Sequence, residues 1–388
     1  MIGTNLAVMG VTYLYQVDAS RRLSPDAFFA LSLWLGQLAI VGILATFAHV
    51  RGTLVPLRAR SVWVSRSQSA QVFTALALVS YHLARPGRLS PNVLITETAL
   101  VGVAAAYGSG TLTGRLRLLG VANAGLVSAI ARIAFAAAYA ARGPIVFYEA
   151  NAVSAVVLLG LVAIQLQSTS SLESLDPPTQ GARSWGAVIV VGLMQAALPH
   201  VQLFIARAGA PASEAPTLAS VIVFSRAPLM LGMAVLSIAM AKHLRLGSRL
   251  APSDSVGAWL TRYSFEVVAV GQCAVAAVFF YIAGPAIAAR VTGAHIAHAR
   301  ATFALSTLDH AFLLLCFAIM QHAVVRSRVN HAVALLAGVA LPITLALALI
   351  KASINTWLVA HIATITVALI ALYIYSQKPD TVTPESNS

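Results

Sequence analysis

The charged side chains that interrupt the apolar runs of this sequence are the ones with chemistry to offer. Arg132 in SAIARIAFAAA and Arg226 in VIVFSRAPLML are flanked by apolar residues, too far from the ends of their runs for easy snorkelling to water. A charge at the centre of a bilayer costs about 2.5–3.5 kcal/mol on insertion scales, so each needs a counter-charge, water or an anionic ligand. A guanidinium stays protonated, and its planar fork meets two oxygens of a phosphate at once. The same arginines can instead be neutralised internally, and Asp309, Glu149 and Glu97 are the acids available for that. Asp309 and His310, adjacent in LSTLDHAFLLL, also lie in mid-run. An acid beside an imidazole can relay protons or hold a coupling cation, or it can be a structural pair. Glu97, Glu149 and Glu266 fall nearer the ends of their runs, where a solvated or ion-paired role is the plainer expectation.

A second concentration of charge lies in YLYQVDASRRLSPDAFFALSLWL, residues 13–35, where Asp18, Arg21, Arg22 and Asp26 separate two apolar stretches. Asp18 precedes Arg21 by three residues and Arg22 by four, so on a helix it can pair with either. Pro25 and Asp26 suit the first turn of a following helix. By itself the cluster reads as a corner that fixes two helix ends in the headgroup zone.

The elements that position these residues follow from composition. The chain has 388 residues, of which 59% are hydrophobic and 10% charged, with a mean hydropathy of +0.83. A soluble chain carries about 25% charged residues. The deficit makes this an integral membrane protein. Helices and closed barrels alone satisfy every backbone polar group in lipid. The apolar runs are about 20 residues long and rich in Ala, Leu and Val, without the alternation of barrel strands, so the spans are helices.

About 12 spans are expected, near 3–20, 27–49, 69–85, 92–111, 118–141, 145–167, 185–207, 216–241, 258–288, 299–324, 330–350 and 354–375. Pro199 (beside His200), Pro228 and Pro342 are expected to kink or break three of them. The polar stretch STSSLESLDPPTQGARS, 168–184, reads as a cytoplasmic linker between an N-terminal six-helix bundle over 1–167 and a C-terminal one over 185–376, with a polar tail over 377–388. Loop Lys and Arg are biased towards the side of the N- and C-termini, which places both termini in the cytoplasm. The halves also echo each other: Gln16, Arg21 and Pro25 recur at identical spacing as Gln202, Arg207 and Pro211. Six spans return the chain to its starting side, so the expected repeats run parallel about an axis along the membrane normal, with a central cleft between bundles.

The corner segment 13–35 resembles the first-helix corner of the polysaccharide flippases, in the multidrug, oligosaccharidyl-lipid and polysaccharide exporter superfamily. YGSGTLTGRLRLLGVANAGLVSAIARIAFAAAYA (107–140) is similar to the turn and basic pair before that family's fifth helix. LDHAFLLLCFAIMQHAVVRSRVNHAVALLAG (308–338) is similar to its tenth and eleventh helices. Ser24 and Phe29 stand where the family's corner has glycines, and one acid, Asp26, stands for its acidic pair. The phrase PDAFFA also resembles the lipid II flippase branch, which usually has more helices. The resemblance implies alternating access by two rocking bundles in the bacterial inner membrane. The implied cargo is a lipid-linked (polyprenyl-diphosphate) saccharide for cell-envelope polysaccharide assembly, its tail staying in membrane lipid. It implies cationic side chains around a cavity, so Arg21 or Arg22 at an anion-attracting mouth and Arg132 and Arg226 within are the candidate substrate contacts. Asp18, Glu97, Glu149, Asp309 and His310 are the candidate coupling or charge partners. A structure is expected to show Arg21, Arg132 and Arg226 converging on one wet cleft.

Other function classes fare worse. The basic balance of +13 is spread over short loops rather than gathered in a patch, so nucleic acid is not expected as a partner. No glycine-rich phosphate loop, His-Glu-x-x-His or nucleophile elbow occurs, and neither an enzyme nor a cofactor is expected. Cys273 and Cys316 lie in apolar runs, and His295 and His298 lack further ligands nearby in sequence, so no metal site is expected. The first apolar run lacks a basic leader, so no cleaved signal is expected. The competing readings are a small-molecule (drug or cation) antiporter of the same superfamily, whose cavity would be acidic or aromatic, and a non-transporting membrane scaffold for polysaccharide synthesis enzymes. A membrane glycosyltransferase would need a sizeable outer loop with paired acids, which is missing.

Overall fold

The computed structural model describes residues 2–42, 44–45, 48–49, 52, 62–114, 117–168, 198–209, 215–233, 235–236, 264–292, 299–325 and 353–376. Every extended element among them is a helix: α1 (Ile2–Arg22), α2 (Pro25–Val41), α3 (Val62–Ala84), α4 (Pro91–Gly114), α5 (Leu118–Tyr139), α6 (Ile145–Ser168), α7 (198–209), α8 (Ala215–Ser225, resuming over 227–233), α9 (Ser264–Thr292), α10 (Arg300–Val325) and α11 (Ile354–Ser376). Six stretches among the described residues are long and apolar enough to cross a membrane: Pro91–Thr113, Leu118–Arg142, Ile145–Gln167, Glu266–Arg290, Arg300–Ile319 and Ile354–Ala371. Pro25–Val41, Ser69–Ala84 and Leu218–Met233 are shorter apolar helices. α1 has the length but falls outside those six, because Thr12, Gln16, Asp18 and Ser20 dilute its apolar face. The expected span 330–350 with Pro342, the linker after Ser168, the tail 377–388, and His295 and His298 lie outside the described residues.

Local chemistry sets the helix ends. The Ser24 hydroxyl accepts the Ala27 amide at 3.3 Å, Pro25 occupies the first turn and Asp26 faces the positive end of the α2 dipole. Gly87 (φ +82°) and Gly143 (φ +106°) take the left-handed backbone that the α3–α4 and α5–α6 connections require.

The described helices pack as two groups. In the first, α6 lies against α3, α4 and α5, and α1 against α5. Its buried side chains include Tyr15, Phe135, Phe147, Val156 and Leu159. In the second, α10 lies against α9, α11 and α8, around Leu229, Cys273, Leu314 and Phe317. Both cysteines are buried free thiols filling this core. Val268, Val275, Val278, Phe279 and Ile282 of α9 are exposed, as suits a face solvated by lipid.

The groups meet along α2–α8 and α1–α9. Phe29 packs with Leu203, Leu218 and Ile222, while Tyr13 and Val17 pack with Val221, Phe224, Ala288 and Phe303. The Tyr13 and Phe224 rings stand edge-on, 6.0 Å apart. Phe29, Leu218 and Phe303 lie near the N-terminal ends of α2, α8 and α10 and Ala288 near the C-terminal end of α9, while Tyr13 lies near the middle of α1.

Closeness at this junction depends on Gly36, where an added Cβ would lie 3.2 Å from His200 Nδ1 and 3.3 Å from Phe204. Gly36→Val is expected to wedge α2 from α7 and lower stability by about 1–3 kcal/mol. Gly10→Val, with nothing within 4 Å of its Cβ, is expected to leave stability near wild type. Thermal unfolding of the purified variants in detergent checks the difference; equal effects contradict this packing.

Candidate functional site

The break in α8 places the most unusual side chain of the molecule. Pro228 has no amide hydrogen, so the α-helical bond to the Phe224 carbonyl cannot form. The chain turns at Arg226, whose amide reaches Val223 O at 3.3 Å, and the helix resumes with Met230 N to Arg226 O at 3.0 Å. The sequence expectation of a break at Pro228 thus has Arg226 at its elbow. The Pro228 carbonyl accepts from Gln272 of α9 at 2.6 Å, which pins the far side of the break.

Arg226 is 6% exposed. Its Nη1 donates to His200 Nδ1 at 3.1 Å, so that imidazole nitrogen carries a lone pair. Nε and Nη2 are buried and, among the described residues, have no partner. Those two nitrogens form the side-on edge of the guanidinium, the edge that holds two oxygens of a carboxylate or phosphate. Among the described residues no carboxylate pairs with it.

Asp309, a buried acid of the same half, is occupied elsewhere. Asp309 is fully buried, and its oxygens face Gln202 Nε2 at 2.6 Å and His361 Nδ1 at 2.7 Å. Ser306 donates to Gln202 Oε1 at 2.6 Å, and the Trp357 ring stacks on His361 at 4.6 Å. His310, the sequence neighbour, does not pair with Asp309. Its Nδ1 donates to the Ser225 carbonyl at 3.0 Å, one residue before Arg226, and its Nε2 is buried without a partner. The Asp309–His310 structural pair expected from sequence is therefore replaced by Asp309–His361. A helix turns about 100° per residue, so adjacent side chains diverge.

Arg132 has a different environment. From α5 it donates through Nη2 to Thr12 Oγ1 of α1 at 2.6 Å and through Nη1 to Asn151 Oδ1 of α6 at 3.3 Å. Its guanidinium lies 4.9 Å from the centre of the Tyr15 ring, a cation–π contact. Asn151 also donates to Tyr15 OH and to the Phe147 carbonyl, which Tyr15 OH itself contacts. Neutral groups hold this cation, with Nε alone left unpartnered. The internal ion pairs weighed for the arginines are absent among the described residues. Glu149 and Glu97 both face His82 instead.

The corner is a surface arrangement. Asp18 pairs with Arg22 at 2.8 Å, four residues on, and both Arg21 and Arg22 are exposed. Arg22, rather than Arg21, takes Asp18. Of the three arginines expected to converge, Arg21 is exposed at the corner, Arg132 belongs to the first helical group and Arg226 to the second.

Sequence reasoning passed over His82 and His361, and it read His200 only as a kink neighbour. The signal was present for His82 and His361: each is a lone imidazole in an apolar run, and the buried acids needed partners.

No family model matches the chain, and no curated protein matches it in sequence. Solved structures do match in shape. A mutant of the Vibrio cholerae MATE transporter VcmN covers 97% of this chain and 94% of its own, at 14% identity and a TM-score of 0.52. A MOP superfamily transporter of Pyrococcus furiosus, described as having a binding pocket of reversed polarity, covers 96% and 92%, at 14% identity and a TM-score of 0.55. The lipid II flippase MurJ in an inward closed conformation covers 97% and 88%, at 10% identity and a TM-score of 0.54. This chain is an all-helical, multi-pass membrane protein with the fold of the MOP superfamily transporters.

Proposed function

We propose that the protein is a flippase that moves a lipid-linked (polyprenyl-diphosphate) saccharide across the bacterial inner membrane for cell-envelope polysaccharide assembly. The single observation behind this reading is the unpartnered Nε–Nη2 edge of Arg226. A buried donor left unmade costs about 1–3 kcal/mol. An uncompensated buried charge costs several kcal/mol more. A diphosphate oxygen pair supplies both the hydrogen bonds and the counter-charge. His310 Nε2, unpartnered beside the same break, can take a proton and add a second donor to the anion.

Alternating access would use the packing of the two helical groups, whose described contacts of α2 with α8 and α1 with α9 would form one closure between them. Rocking about the α2–α8 and α1–α9 contacts would part Tyr13 from Phe224 and Phe29 from Ile222, and expose the Arg226 edge to the other side. The polyprenyl tail stays in lipid throughout. No covalent bond is made or broken, so the protein is a carrier rather than an enzyme. Arg132, satisfied by Thr12, Asn151 and Tyr15, serves as a positioned positive charge rather than a primary contact. Arg21 and Arg22, exposed at the corner, would attract the anion at the mouth. The P. furiosus transporter, with its reversed-polarity pocket, is precedent for this fold carrying more than one pocket chemistry.

A drug or cation antiporter is disfavoured by one observation: its cationic cargo would meet an unneutralised guanidinium while Asp309 is held by Gln202 and His361. A scaffold for polysaccharide synthesis enzymes has no use for a buried fork left open, and replacing it by an apolar residue would then cost nothing.

Native mass spectrometry of the purified protein with a polyprenyl diphosphate tests the site. Arg226→Lys, which keeps the charge but loses the fork, is expected to weaken binding by about tenfold, or about 1.4 kcal/mol. Arg226→Leu is expected to abolish binding and, without ligand, to raise the unfolding temperature, because it removes an unpaired buried charge. Arg22→Gln breaks an exposed pair worth about 0.3–0.5 kcal/mol and is expected to lower stability by no more than that. Wild-type affinity in Arg226→Leu would eliminate the anion site.

A further inference from the structure

The end of the first helical group nearest the corner holds a cluster that the transport site does not use. His82 lies in the last turn of α3, Glu97 near the start of α4 and Glu149 near the start of α6. His82 and Glu149 have no exposed surface, and the Glu97 side chain is 14% exposed. Both imidazole nitrogens face carboxylates: Nδ1 lies 2.8 Å from Glu149 Oε1 and Nε2 lies 2.8 Å from Glu97 Oε1. The second oxygen of Glu149 accepts the Gly87 amide at 2.6 Å, in the turn that joins α3 to α4.

These distances have a stoichiometric consequence. Each N···O contact at 2.8 Å needs a hydrogen between its atoms. A neutral imidazole supplies one, and two ionised carboxylates supply none. The pair of contacts therefore contains one more proton than a neutral histidine with two carboxylates can provide. Wherever that proton resides, on the ring or on a carboxyl group, the cluster keeps a net charge of minus one. Remove it, and one nitrogen lone pair faces a carboxylate while the buried charge doubles. A bound metal does not substitute, because the nitrogens already sit at hydrogen-bond distance from the oxygens. Among the described residues no group of His, Cys, Asp and Glu has a metal-holding arrangement.

We propose that His82, Glu97 and Glu149 form a proton-binding site, loaded through the partly exposed Glu97, whose occupancy holds the α3–α4 turn against α6. The link to the turn is direct: Glu149 touches His82 with one oxygen and the Gly87 backbone with the other. Gly87 sits at φ +82°, a conformation this turn depends on, and a Cβ there would also press on Ile145 of α6 at 3.4 Å. Proton loss drives the carboxylates apart and takes the support from Gly87. Among the described residues, the other ionisable groups around the cluster make no hydrogen bond to it. Tyr81 meets the His82 ring edge-on at 5.7 Å, and Tyr148, beside Glu149, packs on Trp34 at 5.3 Å. Arg85 and Arg88 of the turn are exposed, and Arg142 of the α5–α6 connection is exposed over Tyr139. In a flippase of the kind proposed above, this proton would be the coupling ion; the site itself is independent of that reading and of any cargo.

A spin label at the exposed turn position, introduced as Arg88→Cys, reads the turn without cargo, since the native Cys273 and Cys316 are buried. Label mobility in the purified protein is expected to rise as the pH is raised and the shared proton is lost. Glu149→Gln and Glu97→Gln each supply an amide hydrogen in place of the shared proton, so either variant is expected to lose the pH response and keep the ordered turn. Should Glu149→Gln not fold, Glu97→Gln at the partly exposed edge makes the same comparison. A flat wild-type profile, or a wild-type response in a folded glutamine variant, overturns the proton site. Diphosphate binding that survives such a result would leave the transport reading standing and remove this coupling from it.

Discussion

The constraint on which the rest of this structure depends is the cost of an ionised group in a medium with almost no water. A buried charge must have a partner, or hold open a place for one. The acids satisfy the first condition. Glu97 and Glu149 share His82, and Asp309 is held by His361 and Gln202. Imidazole serves here better than guanidinium would, because it fits within an apolar run and can give hydrogens to oxygens on two different helices. The acids therefore tie helices together: α3 to α4 and α6 in the first group, α10 to α7 and α11 in the second.

With Glu97, Glu149 and Asp309 engaged by imidazoles, the two deep arginines are left to other groups, and the halves handle them differently. Arg132 is absorbed by a hydroxyl, an amide and an aromatic face, a set that positions the charge without cancelling it. Arg226 is held through one nitrogen by a neutral imidazole, at a helix break. Neutral partners lower the desolvation cost without using up the electrostatic attraction for an anion. On the proposed reading, that separates an anion site at Arg226 from a structural ion pair. The tilt of the whole balance towards positive charge reinforces it.

Much of the fold was legible because it rests on run length and composition. The boundaries of α4 to α6, α10 and α11 lie close to those read from apolar runs, α3 starts earlier than the expected 69, and the capping chemistry of Ser24, Pro25 and Asp26 marked the start of α2. The site was legible only in part. That Arg132 and Arg226 needed explaining followed from their neighbours in sequence. Which groups meet them did not, since Thr12 and Asn151 lie far away along the chain and are ordinary polar residues in apolar runs. Adjacent residues misled at Asp309 and His310, where helical rotation sends one towards α11 and the other towards α8. Glu97 and Glu149 drew notice as acids, but the imidazole between them belongs to a third helix, and three-helix convergence is a property of packing that no linear pattern encodes.

The most direct measurement is an experimental structure of the protein in a lipid nanodisc with a polyprenyl diphosphate bound. The account predicts diphosphate oxygens within hydrogen-bond distance of Arg226 Nε and Nη2, with Asp309 still on His361 and Gln202. Density showing that edge closed by a carboxylate of the chain, or the headgroup seated away from an unchanged Arg226, would contradict it.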